Sequence, residues 1–180
     1  MGKSEKYYQE LMTHRHVSRR GLFRAFVSAA KQSTPQTSSS HPVHPLPPGA
    51  LPDAQFRRQC TQCNACIEAC PMGILQQHDD GFPQLAIEYA SCDGCGLCIA
   101  ACEPQALRPQ SRFDTALRPV FSNACLNPTR PCHQCAEHCP ELACTFDHAG
   151  IPMVDTERCN GCGECLVQCD VEAVRLELRS

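Results

Sequence analysis

Residues 92–102 read CDGCGLCIAAC, which places four cysteines in the spacing C-x2-C-x2-C-x3-C. Two further stretches of the 180-residue chain repeat this spacing, and another keeps the last two intervals but lengthens the first to six residues. The pattern accounts for sixteen of the seventeen cysteines and leaves only Cys144 outside it. The four sets are Cys60, Cys63, Cys66 and Cys70; Cys92, Cys95, Cys98 and Cys102; Cys125, Cys132, Cys135 and Cys139; and Cys159, Cys162, Cys165 and Cys169.

This spacing is typical of the ligand runs of bacterial [4Fe–4S] ferredoxins. Two residues between cysteines allow a tight loop to bring three thiolates to three iron atoms, and the more distant fourth cysteine ligates the neighbouring cluster. Gly94 and Gly161 suit such loops because glycine tolerates a positive φ and a close approach of the backbone. Over residues 56–180 the chain resembles a duplicated two-[4Fe–4S] bacterial ferredoxin, which implies an α+β fold of two ferredoxin-like modules. Four sets of cysteines predict four clusters.

Disulfide bonds and zinc are weaker alternatives for these cysteines. The cysteine count is odd, and four repeats of one metal-binding spacing differ from a disulfide framework. Structural zinc sites use paired CxxC knuckles rather than runs of three cysteines with a distant fourth. The repeats therefore favour iron–sulfur clusters.

Exchange of the fourth cysteine predicts that each site takes its ligands from both halves of a module. Such crossing would tie the two halves together. The predicted sites are, in order, Cys60, Cys63, Cys66 and Cys102; Cys92, Cys95, Cys98 and Cys70; Cys125, Cys132, Cys135 and Cys169; and Cys159, Cys162, Cys165 and Cys139.

The register of the repeats separates Cys144 from the ligand sets. Cys144 lies five residues after Cys139, the last cysteine of the third set. The equivalent positions of the other three sets are aliphatic: Leu75, Leu107 and Val174. Cys144 is therefore predicted to be a buried strand residue, since cysteine behaves as a small hydrophobe. Cys125 is assigned as the missing ligand of the third set, although the regular spacing would place that ligand at Thr129. Because this complement of cysteines is full, His133 and His138 are not assigned as ligands.

Charge and composition divide the chain into parts. Residues 1–59 carry a net charge of +6 and residues 60–180 a net charge of −9. Short strands are predicted after each last cysteine, including one at 106–108. The predicted organisation is a basic amphipathic N-terminal helical arm over 1–31, a Pro/Ser-rich linker over 32–55, ferredoxin-like modules over 56–112 and 125–180, and a second linker over 113–124.

Several classes of function are excluded by these patterns. An anionic body argues against binding to nucleic acid, and no apolar run approaches the length of a transmembrane span. Neither an activated nucleophile nor a pair of catalytic carboxylates stands out, so we do not expect an enzyme. The chemistry that remains is one-electron transfer or the donation of whole clusters.

The arm contains the sequence Ser18-Arg19-Arg20-Gly21-Leu22-Phe23, which predicts a basic amphipathic helix with Ser18 as its N-cap. The arginine pair is similar to a twin-arginine export motif. The apolar stretch that follows is short and is interrupted by Arg24 and Lys31, which is unlike a cleavable signal. A helix that binds a partner and a helix that packs on its own module both remain open.

The arm, the linker and the cysteine runs that begin at Cys60 and Cys159 together resemble the NapF family, the ferredoxin-type accessory proteins of periplasmic nitrate reductase systems. The resemblance implies a cytoplasmic protein that binds the unexported catalytic subunit, NapA, and aids its maturation at the iron–sulfur stage. It also implies three or four clusters, and the irregular set around Cys125 leaves that count open. Two alternatives are an electron-transfer polyferredoxin or subunit serving another oxidoreductase, and an exported redox protein.

Overall fold

The computed structural model describes residues 44–179, so the predicted arm and the first half of the first predicted linker, residues 32–43, lie outside the described residues. Within this range no helix is long and apolar enough to cross a membrane. The helices are α1 Asp53–Gln59, α2 Ala65–Ala69, α3 Leu97–Ala100, α4 Gln134–Glu137 and α5 Glu164–Val167. The strands are β1 Leu75–Gln77, β2 Pro83–Leu85, β3 Leu117–Phe121, β4 Cys144–Phe146, β5 Pro152–Val154 and β6 Val174–Leu178.

Two of the sheets are short antiparallel hairpins that repeat between the modules. Strand β1 pairs with β2, and β4 pairs with β5. Their turns, at 78–81 and 147–150, end in Gly81 and Gly150, whose φ angles are +85° and +77°. Glycine adopts this left-handed conformation without a steric penalty, which lets each hairpin close tightly.

The third sheet uses residues that the sequence pattern assigned to a linker. Strand β3 lies within 113–124 and pairs antiparallel with β6, from Leu117 opposite Leu178 to Phe121 opposite Val174. Pro119 is tolerated in β3 because an edge strand loses little when one N–H is missing from its ladder. Part of the predicted linker is therefore a strand of the second module.

In the first module, the strand pairing that corresponds to β3 with β6 is much shorter than predicted. In place of a strand at 106–108 there is an isolated bridge between Ala50 and Leu107. The Leu51 N–H donates to the Ala106 carbonyl at 3.0 Å, and the Arg108 N–H donates to the Gly49 carbonyl at 2.7 Å. The segment around Ala50 is rich in proline, which has no N–H to donate, so the ladder does not extend.

Buried residues follow the same register in all four repeats. The positions four and five residues after each last cysteine are buried, with side chains between 0 and 8 % exposed. Cys144 is one of them and begins β4, which places it where the register predicted. These residues are Ile74, Leu75, Ala106, Leu107, Ala143, Cys144, Ala173 and Val174.

The two modules differ in how much apolar core they possess. Nine residues of a buried cluster of ten, among them Phe56, belong to the first module, and the tenth is Leu117 of β3. The second module has a cluster of three, Cys144, Cys165 and Val174. Leu176 and Leu178 of β6 pack against the core of the first module, so the modules share apolar surface. Small domains with so little core usually need a further source of stability, such as a bound metal.

We predict that removing iron from the anaerobically prepared protein with a chelator will abolish most of its far-UV circular dichroism. The physical reason is that metal coordination replaces the apolar packing that the second module lacks. Addition of ferrous iron and sulfide should restore the spectrum. A native spectrum in a chain shown to be free of iron would contradict this prediction.

Candidate iron–sulfur sites

Cavities in the structure bring together cysteines from both halves of a module. In each of three cavities, three cysteines of one set lie beside the last cysteine of the neighbouring set. This is the grouping that ligand exchange requires at the first, second and fourth sites. The groups are Cys60, Cys63, Cys66 and Cys102; Cys70, Cys92, Cys95 and Cys98; and Cys139, Cys159, Cys162 and Cys165.

Each regular cysteine loop turns twice through the left-handed region of backbone conformation. The first turn lies just before the second cysteine and the other just after it. In the third loop the corresponding residues are Pro131 and His133. Proline is fixed at a negative φ, and His133 has φ −119°. The third loop therefore follows a different path. The left-handed residues of the regular loops are Gln62, Asn64, Gly94, Gly96, Gly161 and Gly163.

A side-chain hydrogen bond closes two of the regular loops. The amide of Cys95 donates to Asp93 Oδ1 at 3.0 Å. The amide of Cys162 donates to Asn160 Oδ1, also at 3.0 Å. In both loops the acceptor directly follows the first cysteine, so it fixes the position of the second cysteine relative to the first.

The irregular third loop keeps an equivalent contact by other means. The amide of Cys132 donates to Asn127 Oδ1 at 2.9 Å, and Asn127 Nδ2 donates to the Gly150 carbonyl at 2.8 Å. Asn127 lies two residues after Cys125, while residues 128–131 are exposed. The insertion therefore bulges into solvent, while Asn127 ties Cys132 to the turn of the β4–β5 hairpin.

The third group of cysteines lies close to Cys144. Burial, together with the neighbouring Cys144, Cys125 and Cys132, raises the pKa of Cys135 to about 12. Cys135 and Cys169 both pack against the core that contains Cys144. A contact with Cys165, and burial, raise the pKa of Cys144 as well. Cys144 therefore lies between the third and fourth groups and also lines the cavity of the fourth.

A strained turn recurs three residues after each last cysteine. Its residues are left-handed in all four repeats, and three of them are not glycine: Gln105, Leu142 and Glu172. Such a conformation costs about 1–3 kcal/mol for a residue with a Cβ atom. The turn is followed by amides that donate to the cysteine sulfurs, Leu107 to Cys102 at 3.4 Å, Ala143 to Cys139 at 3.3 Å and Ala173 to Cys169 at 3.2 Å. Hydrogen bonds of this kind help to set the potential of an iron–sulfur cluster.

The chemistry of the thiols fits a [4Fe–4S] cluster. Burial raises the pKa of Cys66 to about 11, of Cys92 to about 12 and of Cys162 to about 11. Such thiols remain protonated at neutral pH unless a cation stabilises the thiolate, and a coordinated metal deprotonates a thiol outright. Soft, all-sulfur donor sets are those that iron–sulfur clusters use. The residues present therefore suit the cofactor that their spacing predicts.

Arg118 is a candidate functional residue that sequence reasoning missed. It is 7 % exposed, and its guanidinium donates to both carboxylate oxygens of Asp114, at 2.9 and 2.7 Å. Burial raises the pKa of Cys159, and Arg118 opposes that effect together with the amide of Gly161. The Arg118–Asp114 ion pair therefore lies close enough to Cys159 to influence the electrostatics of the fourth site. The sequence gives little sign of this role, because Arg118 lies in what reads as a linker.

The histidines within the third set have local structural contacts. The ring of His133 packs edge-on against Phe146, with the ring centroids 5.1 Å apart. Nδ1 of His138, the residue after α4, lies 3.0 Å from the Gln134 carbonyl oxygen. These contacts account for both residues without a role as cluster ligands.

Another group of possible metal ligands consists of His44, His78 and Asp80, whose donor atoms lie within 4.8 Å of one another. The two imidazoles are stacked 4.1 Å apart and nearly parallel, so their in-plane lone pairs do not converge. Arg57 donates to Asp80 at 2.8 Å. Burial raises the pKa of Asp80, but hydrogen bonds from Arg57 and His78 outweigh that effect and hold the pKa well below its usual range. A guanidinium already supplies the cation here, so this network is structural.

We predict that Cys102→Ser will disrupt the first site and Cys70→Ser the second. Each substitution removes the cysteine that the crossed assignment gives to the neighbouring set. After anaerobic alkylation and mass spectrometry, Cys102→Ser should leave residues 60–66 modified and residues 92–98 protected, and Cys70→Ser should give the reverse. Modification within the mutated residue's own run alone would refute the crossing.

A second pair of variants tests the third site. Cys125→Ser should lower the iron and acid-labile sulfide content by about one cluster in four. Cys144→Val, which introduces the residue that Val174 supplies at the equivalent position, should leave the content unchanged. Loss of a cluster in Cys144→Val, with none lost in Cys125→Ser, would make Cys144 the ligand instead.

Two segments of the chain match families of iron–sulfur domains. Residues 59–106 match the 4Fe-4S dicluster domain family, and residues 152–175 match the 4Fe-4S binding domain family. These matches confirm the predicted α+β fold of duplicated ferredoxin-like modules and the binding of [4Fe–4S] clusters. They do not determine the number of clusters.

Several curated proteins are similar along much of the chain. An uncharacterized protein of Haemophilus influenzae is 39 % identical over 97 % of this chain and 99 % of the relative. The ferredoxin-type protein NapF of Escherichia coli K12 is 32 % identical over 73 % of this chain and 83 % of the relative. The methylamine utilization ferredoxin-type protein MauM of Methylophilus methylotrophus is 30 % identical over 73 % of this chain and 69 % of the relative.

These relatives support an iron–sulfur, electron-transfer role, which agrees with the thiol groups that the fold assembles. The cysteine pattern, the matched domains and the identity to NapF proteins lead to one conclusion: the chain belongs to the NapF family of ferredoxin-type proteins.

Proposed function

We propose that this protein is a cytoplasmic iron–sulfur accessory protein that binds the precursor of the periplasmic nitrate reductase catalytic subunit. In this role it assists maturation of the precursor before export, by electron transfer or cluster transfer. The observation that carries the proposal is 32 % identity to NapF over 83 % of that protein. The name of this relative describes a ferredoxin-type protein. The link with nitrate reductase comes from the NapF family that the sequence resembles.

Four [4Fe–4S] clusters would supply the chemistry, which is the uptake and release of single electrons. The protein's own contribution is to hold the thiolates, exclude water from the buried sulfurs and donate amide hydrogen bonds to them. With four cysteine ligands at each cluster, no iron is left open for a substrate, so the role is that of an accessory protein or carrier. The proposed ligands are the sixteen cysteines of the four sets, without Cys144.

The distribution of charge supports binding to a protein partner through the arm. Residues 60–180 carry a net charge of −9, and each oxidised cluster with four thiolates adds about −2 by formal charge. The arm has the opposite sign, with Arg19 and Arg20 next to apolar residues that would form one face of a helix. A basic amphipathic helix at the end of a tether suits an acidic, partly apolar groove on a partner.

A second candidate is a carrier that serves another oxidoreductase. The observation that favours it is the 30 % identity to MauM, which is named for methylamine utilization. Both candidates use the same clusters, so only the identity of the partner separates them.

We predict that the purified protein, under anaerobic conditions, will retain the NapA precursor in a pull-down. Arg19→Ala combined with Arg20→Ala should weaken that retention about tenfold or more, because both positive charges of the arm motif are lost. Iron content should not change. The matched control is Arg108→Ala with Arg175→Ala, which removes two exposed arginines of the modules.

The control variant should bind the precursor as tightly as the unmodified protein. Absence of binding by the unmodified protein would overturn the maturation role and leave the carrier role. Equal binding by the arm variant would place the interface on the modules instead of the arm.

A further inference from the structure

The cysteine loops of the second and fourth sites touch each other directly across the boundary between the modules. The amide of Cys92 donates to the carbonyl of Cys162 at 2.8 Å. These residues belong to different modules and to different proposed clusters. We call this contact and its neighbours Ser91, Gly163 and Glu164 the module junction.

A side-chain hydrogen bond next to the backbone contact fixes the two loops in place. Ser91 Oγ donates to Glu164 Oε2 at 2.5 Å. The other carboxylate oxygen accepts a hydrogen bond from Gln168 Nε2 at 2.7 Å. Both oxygens of Glu164 are therefore held, which aligns the loop of the fourth site with the loop of the second.

The close packing of the first module against the loop of the fourth site requires a glycine. Gly163 has φ +85°, and a Cβ atom built on it would lie 2.4 Å from Ile87 Cγ2, in the first module. That distance is far inside van der Waals contact. Because residue 163 has no side chain, Ile87 of the first module packs directly against the loop of the fourth site.

The crossed ligands supply the remaining contacts between sites. Cys70 and Cys102 each lie in one set and line the cavity of the other, so the first and second sites are neighbours. Cys139 links the third set to the fourth site in the same way. With the module junction added, the sites form one series: first, second, fourth, third.

We propose that electrons pass between the modules through the module junction, so that the four sites form a single conduction path. Ser91 and Glu164 are its positioning residues. This proposal rests on the proposed occupancy of the sites by [4Fe–4S] clusters. It favours transfer of electrons over donation of whole clusters, since a linked series is needed only for electrons.

The transfer step balances as a one-electron exchange. A [4Fe–4S]⁺ cluster held at the second site would give one electron to a [4Fe–4S]²⁺ cluster held at the fourth, so that the former would become [4Fe–4S]²⁺ and the latter [4Fe–4S]⁺. No bond forms or breaks and no proton moves. The electron originates from a low-potential one-electron donor, for which dithionite serves in the experiment.

The test uses EPR of the full chain, prepared and reduced without oxygen. Cys63→Ser with Cys132→Ser should empty the first and third sites and leave about half of the iron. Adjacent reduced centres at the second and fourth sites should then show a spin–spin split signal. Two independent signals with that iron content would overturn the proposal.

A second measurement keeps all four sites and perturbs only the module junction. Ser91→Asp places a carboxylate against Glu164, and their repulsion should separate the loops. The reduced signals should then saturate at several-fold lower microwave power than in the unmodified protein. Ser91→Asp with Glu164→Gln, which restores a donor and acceptor pair, should return the saturation to its original value.

The outcomes separate this inference from the proposed function. Unchanged iron and sulfide, with unchanged saturation in Ser91→Asp, would overturn the path through the module junction and leave the clusters in place. An unmodified protein without four clusters would contradict the proposed occupancy itself. If the double cysteine variant fails to fold, the comparison of Ser91→Asp with its rescue variant decides alone.

Discussion

The burial of cysteine sulfur is the constraint on which the rest of this structure depends. A buried thiol resists ionisation, as the raised pKa values of Cys66, Cys92 and Cys162 show. A metal cluster removes that penalty by coordinating the thiolate. Because Cys70, Cys102 and Cys139 each lie with the cysteines of the neighbouring set, the halves of a module would be joined through their clusters. The strained turns after Cys102, Cys139 and Cys169 serve the same end, since each is followed by an amide directed at the cysteine sulfur.

Local spacing predicted the features that depend on local contacts. The cysteine runs indicated the α+β modules, and the repeat register placed Cys144 in the core. The register did not predict β3, because Arg118 and Pro119 are unusual in a strand and their tolerance depends on the edge position and on Asp114. The strand expected at 106–108 does not form, because its partner segment around Ala50 is rich in proline and offers few N–H donors.

Contacts between distant residues were beyond the reach of sequence patterns. Ser91 and Glu164 are 73 positions apart, and nothing in either local sequence indicates that they meet. Gly163 could be explained by its left-handed backbone alone, because Asn64 and Gly96 adopt the same conformation at the equivalent positions of the other regular loops. Its second role, the close approach to Ile87, follows only from how the modules pack. The proposed partner-binding arm lies outside the described residues and stays a prediction.

The two modules differ in what stabilises them and in the charged groups beside their cysteines. The first module is stabilised by a larger apolar core, whereas the second depends more on its cysteines and contains the buried Arg118. This cation lies close enough to Cys159 to affect its ionisation, on the module that receives the junction contact from Cys92. Arg118 is ion-paired with Asp114, so the two side chains together add little net charge beside Cys159. The placement of this ion pair depends on the packing of β3, and fixed dipoles and charges of this kind help to set the potential of a neighbouring cluster.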